Sequence, residues 1–373
     1  MGSVTLIYGD QTERMVRNLV AKTGVLDTLR PADTVLIKPN LVVSRQNWIG
    51  VNTDPGVVEA LVKELKTRGI SRITIGDGSG MGYSATKAFD ICGYGDMAKR
   101  YGLRLMDLER DRFVKRRVLI EGPFKELEIS RTAIECDFLI NVPVMKAHLQ
   151  TLITCSLKNL KGVMSRRMKT AFHGADLNRA IAQLASVISA DLIVVDGLRG
   201  NLSSESGRKP VSMETILLGD NPVEVDSVVA DRLGYAPRDI RYIAHSADAG
   251  LGTCDLEEVT IRSLNRPKKN ETYGPPPPYS ERFPCHINAD GACCTCVGNI
   301  VFALERLNEQ GLLSKKQSFL VGQIPKESTA NKKATIAVGQ CAAKENRADV
   351  TINECPPSAR TIYQRVLSEI RDK

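Results

Sequence analysis

The stretch Thr34-Val35-Leu36-Ile37-Lys38-Pro39-Asn40 combines a short apolar run with an abrupt polar end. Apolar, β-branched runs of this length are typical of strands that are buried on both faces of a sheet. Similar runs recur at Val4–Tyr8, Arg72–Ile75, Asp137–Val142, Asp191–Val195 and Thr215–Leu218. Apolar residues with helical spacing lie between some of them, around residues 57–65 and 177–188. This alternation predicts an α/β fold with a largely parallel sheet covered by helices.

The chain has 373 residues, a length that favours two domains. Residues 266–284 include the run Pro275–Pro278, which cannot form a helix or an inner strand. We therefore expect an α/β domain over residues 1–265, a proline-rich linker over 266–284, and a smaller α/β domain over 285–373. The elements predicted for the smaller domain are a helix over Val297–Leu307, strands near Ser318–Val321, Thr335–Val338 and Val350–Ile352, and a final helix over Ser358–Ile370.

The composition excludes several classes of protein. No apolar run reaches the roughly 18 residues that span a bilayer, and residues 1–10 lack the pattern of a secretion signal. We therefore expect a cytoplasmic protein without a membrane partner. The net charge of +8 favours anionic partners, but aromatic residues are not interleaved with the basic ones, so no nucleic-acid partner is expected. Phosphate-loop and serine-hydrolase motifs are missing, and a homo-oligomer is compatible with the sequence.

The cysteines are concentrated near the end of the chain. Six of the ten lie between residues 285 and 355, which in a chain without a secretion signal indicates metal or redox chemistry rather than disulfides. The pair Cys293 and Cys296 directly precedes a predicted helix, whereas Cys341 and Cys355 are predicted to end strands. We expect these four thiolates to bind a 4Fe–4S cluster, with Cys285 and Cys294 as reserve ligands. Zinc and a redox-active thiol pair remain as alternatives.

Polar residues follow several of the predicted strands, at the edge where open α/β sheets bind their ligands. Lys146 and His148 are two residues apart, so in an extended segment both side chains lie on one face. We expect these two residues to transfer protons, with His173 and Asp77 as further catalytic candidates. The predicted substrate-binding residues are Lys38, Asn40, Lys158, Asn159 and Asp196. The alternative is that the lysines are solvated and the aspartates cap helices.

The order of several segments makes one resemblance specific. The segments are Lys38-Pro39-Asn40, Gly76-Asp77-Gly78, Asn141–His148, Leu157–Gly162, Asp196-Gly197 and Gly219–Asp226. Together they resemble the family catalogued as domain of unknown function 362, over roughly Val35–Gly252. The resemblance implies a fold, a site and an association with iron–sulfur modules. Many members carry the C-x2-C-x2-C-x3-C runs of ferredoxin modules, and this chain has none, so we expect one cluster rather than a relay.

A second resemblance concerns Cys355-Pro356-Pro357 and the predicted helix after it. This turn is similar to the cluster-binding end of hydrogenase small subunits and of the related quinone-reductase subunit. In those families the equivalent cysteine ligates a 4Fe–4S cluster, which implies the same role for Cys355. Their motif begins with glycine, whereas Glu354 precedes the cysteine here.

Three functional hypotheses follow. The first is an iron–sulfur enzyme that reduces, or reductively eliminates a group from, a small anionic substrate, with an external electron donor such as a ferredoxin. On this hypothesis the neighbouring cations Lys38 and Lys158 lower the pKa of Lys146. The second uses the cluster as a Lewis acid in a dehydratase or lyase. The third is an electron-transfer or cluster-carrier protein that turns over no small molecule.

Overall fold

The computed structural model describes residues 2–80, 83–173, 175–205, 207, 210–267, 273–275, 281–289, 292, 294–322, 334–345 and 347–371, without the side chains of His173, Cys294 and Thr295. The chain divides into two compact units, Met1–Pro275 and Pro276–Lys373. The division falls inside the segment that the sequence predicts as a linker. Because residues 276–278 of its proline run lie outside the described residues, the extended linker stays a prediction.

The first unit is built on strands that match the apolar runs of the sequence. Its strands are β1 (Ser3–Tyr8), β2 (Thr34–Pro39), β3 (Arg72–Asp77), β4 (Arg104–Asp107), β5 (Phe113–Arg117), β6 (Glu126–Ser130), β7 (Phe138–Val142), β8 (Lys146–His148), β9 (Leu152–Thr154), β10 (Leu192–Gly200), β11 (Val211–Gly219) and β12 (Thr260–Ser263). Its helices are α1 (Thr12–Thr23), α2 (Pro55–Thr67), α3 (Ala85–Ile91), α4 (Tyr94–Tyr101), α5 (Arg131–Glu135), α6 (Ser156–Asn159), α7 (Arg166–His173), α8 (Leu177–Ala185), α9 (Pro222–Arg232) and α10 (Arg241–Asp248).

Eight of these strands form one sheet in the order β12-β1-β11-β10-β7-β2-β3-β4. Strand β11 runs antiparallel to both of its neighbours, and the other adjacent pairs are parallel. Two antiparallel hairpins, β5–β6 and β8–β9, lie outside this sheet. The predicted α/β fold with a largely parallel sheet is therefore confirmed.

Helix α2 shows how the local sequence fixes the packing. Asp54 accepts a hydrogen bond from the Gly56 amide at 2.8 Å, and Pro55 occupies the first helical position, so both favour a helix start at this point. The buried face carries Val57, Leu61 and Leu65 and packs in the same apolar core as the inner strands. This packing on the sheet holds the carboxyl ends of the strands in a fixed arrangement.

The chain leaves the sheet directly after β7. Pro143 follows the strand and has no amide hydrogen, so a regular inner strand cannot continue through it. The Met145 amide donates to the carbonyl oxygen of Asp196 at 2.9 Å, and the Asp196 amide donates to the Pro143 carbonyl at 2.8 Å. The segment therefore runs beside β10 before it turns into the β8–β9 hairpin, which begins with Lys146.

Asp226 of α9 fixes the start of the short helix α6. Its carboxylate accepts hydrogen bonds from the Ser156 amide at 2.7 Å, the Ser156 hydroxyl at 2.5 Å and the Leu157 amide at 3.2 Å. The side chain is fully buried, and this burial raises the pKa of Asp226 to about 6 although the hydrogen bonds oppose it. Because α6 carries Lys158 and Asn159, the contact positions two of the predicted site residues.

The second unit is a smaller parallel sheet with helices. Its strands follow the order β13 (His286–Asn288), β14 (Ser318–Val321), β15 (Ala334–Val338) and β16 (Ala348–Ile352), and its helices are α11 (Cys294–Glu309), α12 (Gln340–Ala343) and α13 (Ala359–Arg371). The smaller α/β domain is thus confirmed. Two local predictions are wrong. Cys341 does not end a strand but lies in α12, because the chain turns helical after Gly339. Cys296 does not precede a helix but lies in the first turn of α11, which begins at Cys294. Across the described parts of both units, no helix combines the length and apolarity required to cross a bilayer.

Replacing Asp226 with alanine should lower the free energy of unfolding by about 3 kcal/mol, because it leaves buried donors at the start of α6 without an acceptor. Chemical denaturation measures this change. Asp231→Ala, on the exposed side of the same helix, is the matched control and should alter stability by less than about 0.5 kcal/mol. Equal effects of the two substitutions would contradict the assigned role of Asp226.

Candidate functional site

A buried ion pair joins the carboxyl ends of β2 and β3. The Lys38 Nζ lies 2.7 Å from Oδ1 of Asp77, and neither side chain is appreciably exposed. Asp77 also accepts from the Leu41 amide at 2.8 Å, so it caps no helix but ties the loop after β2 to β3. Burial lowers the pKa of Lys38, and the charge of Asp77 opposes this shift. Gly162 lies against the pair, and a Cβ atom there would be 1.9 Å from Oδ1 of Asp77, so only glycine fits.

Three asparagines extend this ion pair into a continuous network. Oδ1 of Asn159 accepts from Lys38 Nζ at 3.2 Å and from Nδ2 of Asn40 at 2.8 Å. Nδ2 of Asn159 donates to Oδ1 of Asn141 at 2.7 Å. Each amide therefore has only one orientation that satisfies its neighbours. As a result the carbonyl oxygen of Asn40, rather than its NH2 group, is presented to Lys146, whose Nζ donates to it at 2.7 Å.

Lys146 is a fully buried lysine without a carboxylate partner in direct contact among the described residues. Its Nζ donates to Oδ1 of Asn40 and to the backbone carbonyl oxygen of Val51. Burial, followed by the charge of Lys158, lowers the pKa of Lys146 to about 7. Lys158 thus has the predicted effect of a neighbouring cation, whereas Lys38 is neutralised by Asp77. At neutral pH the amine is present in both protonation states.

Asp196 lies close enough to Lys146 to act on its charge, but its hydrogen bonds are structural. One carboxylate oxygen accepts from the Asp54 amide at 2.7 Å and the other from the Leu198 amide at 3.0 Å. Asp54 is the N-cap of α2, so Asp196 supports the start of that helix. Burial outweighs the hydrogen bonds and raises the pKa of Asp196 to about 7. Asp196 is not itself the N-cap of α2, but both of its oxygens accept from backbone amides, which favours a structural role over direct substrate binding.

Of the two predicted catalytic histidines, only His148 has a side chain within the described part of the chain. Nδ1 of His148 accepts from the amides of Gln150 and Thr151 at 3.1 and 3.3 Å, which fixes the turn between β8 and β9. Its Nε2 lies 4.0 Å from Oε1 of Glu205. These contacts of His148 do not include the two groups to which Lys146 donates. His173 is the last residue of α7, and its side chain lies outside the described part of the chain.

A further buried lysine belongs to the same edge and is not identified by the sequence analysis. The Nζ of Lys169 donates to the carbonyl oxygens of Gly78 and Ser79 at 2.8 and 3.1 Å, and it lies 2.9 Å from Oε1 of Glu109. These contacts fix the glycine-rich loop that follows Asp77. The basic composition of the segment that carries Lys169 is visible in the sequence, but such a composition is usually that of an exposed surface.

In the second unit, three of the predicted cluster ligands lie at the carboxyl edge of the small sheet. The Cys296 side chain is buried against Gly339, where a Cβ atom would be 3.3 Å from Sγ. The Gln340 amide donates to the carbonyl oxygen of Glu354 at 2.9 Å. The following residues, Cys341 and Cys355, therefore belong to adjacent backbone segments, and both are exposed.

Of the remaining predicted ligands, one lies at the other edge of the small sheet and two lie wholly or partly outside the described residues. Cys285 is buried directly before β13, at the opposite edge of the small sheet from Cys296, and burial raises the pKa of its thiol to about 11. Cys293 and the side chain of Cys294 lie outside the described part. Within the described part, no three His, Cys, Asp or Glu side chains are grouped closely enough to bind a metal ion.

The lowered pKa of Lys146 should make the free energy of unfolding depend on pH. Its pKa is about 7 in the folded state and near 10.5 when the chain unfolds, so between these values the unfolded chain binds the additional proton. The free energy of unfolding of the parent protein should therefore rise with pH, relative to Lys146→Met, by up to about 1.4 kcal/mol per pH unit. Urea denaturation at several pH values from 7 to 9.5 measures this difference. Lys115→Met, at an exposed ion-paired lysine, should show no such rise, and parallel curves for Lys146→Met and the parent would refute the shift.

Comparison with known proteins gives a family match that spans the residues of this network. The family described as domain of unknown function (DUF362) matches residues 35–231, which include the whole network from Lys38 to Asp196. A thylakoid-associated protein of Synechocystis sp. is 28% identical over 245 residues, which are 63% of this chain and 73% of that protein. The lactate racemase apoprotein from Thermoanaerobacterium thermosaccharolyticum aligns with a TM-score of 0.40 and 14% identity, over 61% of this chain and 57% of that protein, so this chain spans less than two thirds of its length. The family match covers more than half of the sequence, and the chain belongs to the DUF362 family.

Proposed function

We propose that this chain is an iron–sulfur enzyme that acts on a small anionic substrate at the carboxyl edge of the large sheet, with Lys146 as the group that transfers protons. The observation that carries the proposal is the state of this lysine. It is fully buried, is held by Asn40 and Val51, and has a pKa of about 7. An acid–base group is most effective when its pKa is near the working pH, because both protonation states are then available.

The charge around Lys146 supports an anionic substrate. Lys158 is half-buried and close enough to lower the pKa of Lys146, so two cations repel each other at this edge. A carboxylate or phosphate beside them would relieve the repulsion, and the attraction is stronger where water is excluded. The ammonium of Lys38 already donates to Asp77, Asn159 and Pro39. In this proposal Lys38 and Asn159 therefore orient Asn40 rather than contact the substrate.

The second part of the proposal is a 4Fe–4S cluster bound by Cys293, Cys296, Cys341 and Cys355. It is supported by the shared edge of the three described cysteines and by the C-x2-C pair at the start of α11. When bound, such a cluster supplies single electrons, which an external donor such as a ferredoxin would replace. The reaction class we propose is a reduction or a reductive elimination.

Anaerobically purified protein should contain about four iron and four sulfide per chain. Serine at Cys293, Cys296, Cys341 or Cys355 should each lower this content and bleach the visible absorption, because each removes one thiolate ligand. Cys254→Ser, a buried cysteine of the first unit, is the matched control and should retain the full content. Full iron content in Cys341→Ser together with loss in Cys285→Ser would contradict the ligand set, and one equivalent of zinc would exclude the cluster.

Anions test the first part without knowledge of the substrate. Phosphate and small carboxylates should raise the melting temperature of the parent protein at pH 6, where Lys146 is mostly protonated. In Lys146→Met this increase should be much smaller, because one of the two cations is lost while the side-chain volume is nearly kept. Lys115→Met controls for the loss of an exposed lysine. If all three proteins respond equally to the anions, the site does not lie at Lys146.

A further inference from the structure

The hydrogen bonds of Lys146 involve both hydrogens of its neutral amine but not the lone pair of the nitrogen. In the neutral amine, Nζ carries two hydrogens and one lone pair. The two hydrogens have acceptors, Oδ1 of Asn40 and the carbonyl oxygen of Val51. Among the residues that the structure describes, no third group lies within hydrogen-bond distance of Nζ. In the neutral amine the lone pair is therefore directed away from both acceptors.

We infer that Lys146 is a nucleophile, and that the substrate is a small acid with an aldehyde or ketone group whose carbonyl carbon forms an imine with Nζ. The inference rests on the proposed anion site and adds the substrate class. A carboxylate alone would be attracted by the positive charge of Lys158, but it offers nothing to the lone pair of a neutral amine. A carbonyl carbon is an electrophile that such an amine attacks reversibly.

The proposed step balances without a redox partner. The lone pair of Nζ forms a bond to the carbonyl carbon while one proton moves from nitrogen to the carbonyl oxygen, which gives a carbinolamine. The carbon–oxygen bond then breaks, the hydroxyl leaves as water with the remaining proton of Nζ, and a carbon–nitrogen double bond remains. One proton from solvent gives the imine its positive charge. This charge withdraws electrons from the neighbouring carbon and makes a proton on that carbon easier to remove.

Three other lysines in the described part of the chain lack this combination of features. Lys63 is half-buried and Lys115 is exposed. They lie 2.6 Å from Glu13 and Glu126 respectively, which raises the pKa of both lysines and keeps them protonated. Lys38 is buried, but its ammonium donates to three acceptors and so uses every hydrogen. Lys146 donates to two acceptors and contacts no carboxylate among the described residues, and burial followed by the charge of Lys158 lowers its pKa to about 7.

Trapping with borohydride tests the inference on the full-length protein. The protein is incubated with glyoxylate at pH 8, reduced with sodium borohydride, digested and analysed by mass spectrometry. We expect a stable secondary amine at Lys146 in at least tenfold excess over Lys63 and Lys115, and much less of it at pH 6. Lys146→Met should lose this adduct, whereas Lys115→Met should keep it.

Glycolate separates the two proposals, because it has the charge and nearly the size of glyoxylate but a hydroxyl group in place of the aldehyde. Stabilisation of the parent by both acids, combined with an adduct from glyoxylate at Lys146, supports the imine. If both acids raise the melting temperature but no adduct forms at Lys146, the imine is overturned and the anion site stands. If neither acid stabilises the protein and no adduct forms, the anion site itself fails. Equal labelling of Lys63, Lys115 and Lys146 would also overturn the inference.

Discussion

The ion pair between Lys38 and Asp77 is the constraint on which the rest of the site depends. Both charges are removed from water at the ends of two adjacent parallel strands, which is costly unless every hydrogen-bonding group is satisfied. Asp77 accepts a further hydrogen bond from the Leu41 amide, and Lys38 donates to the Pro39 carbonyl oxygen and to Asn159. Because Asn159 must accept from Lys38, its remaining bonds are determined, and through them the orientation of Asn40. The ion pair at the ends of two strands thus determines, through Asn159 and Asn40, which atom accepts a hydrogen bond from Lys146.

Lys146 differs from Lys38 in what its burial achieves. Lys38 is compensated by a carboxylate, so its charge serves the architecture. Lys146 donates only to neutral acceptors, and its burial together with the charge of Lys158 favours the uncharged amine, although nearby carboxylates oppose this. Such a lysine reduces the stability of the fold at neutral pH, and a site that retains it is more readily explained by chemistry than by structure. The acid–base role and the imine both follow from this one difference.

The sequence predicts the framework well because strands buried on both faces require uninterrupted apolar runs, such as those that became β2, β3 and β7. It also predicts that polar residues converge where those strands end. It does not predict which lysine is compensated, since that depends on backbone groups such as the Val51 carbonyl, which any residue type supplies. The roles of Asp226 and Lys169 depend on contacts between residues distant in the chain, for which neither spacing nor residue type gives a signal. Short hairpins such as β8–β9 are missed because three-residue strands show no periodicity.

Both proposed roles of Lys146 require its amine to be uncharged in a large part of the molecules at neutral pH. The most direct test is an NMR titration of the protein with 13C-labelled lysine, in which the Cε signal of Lys146 is assigned by its loss in Lys146→Met. We expect a titration midpoint near pH 7, well below the midpoints of exposed lysines. A midpoint near the ordinary value of 10.5 would show that the amine stays charged and would contradict both the proton transfer and the nucleophile.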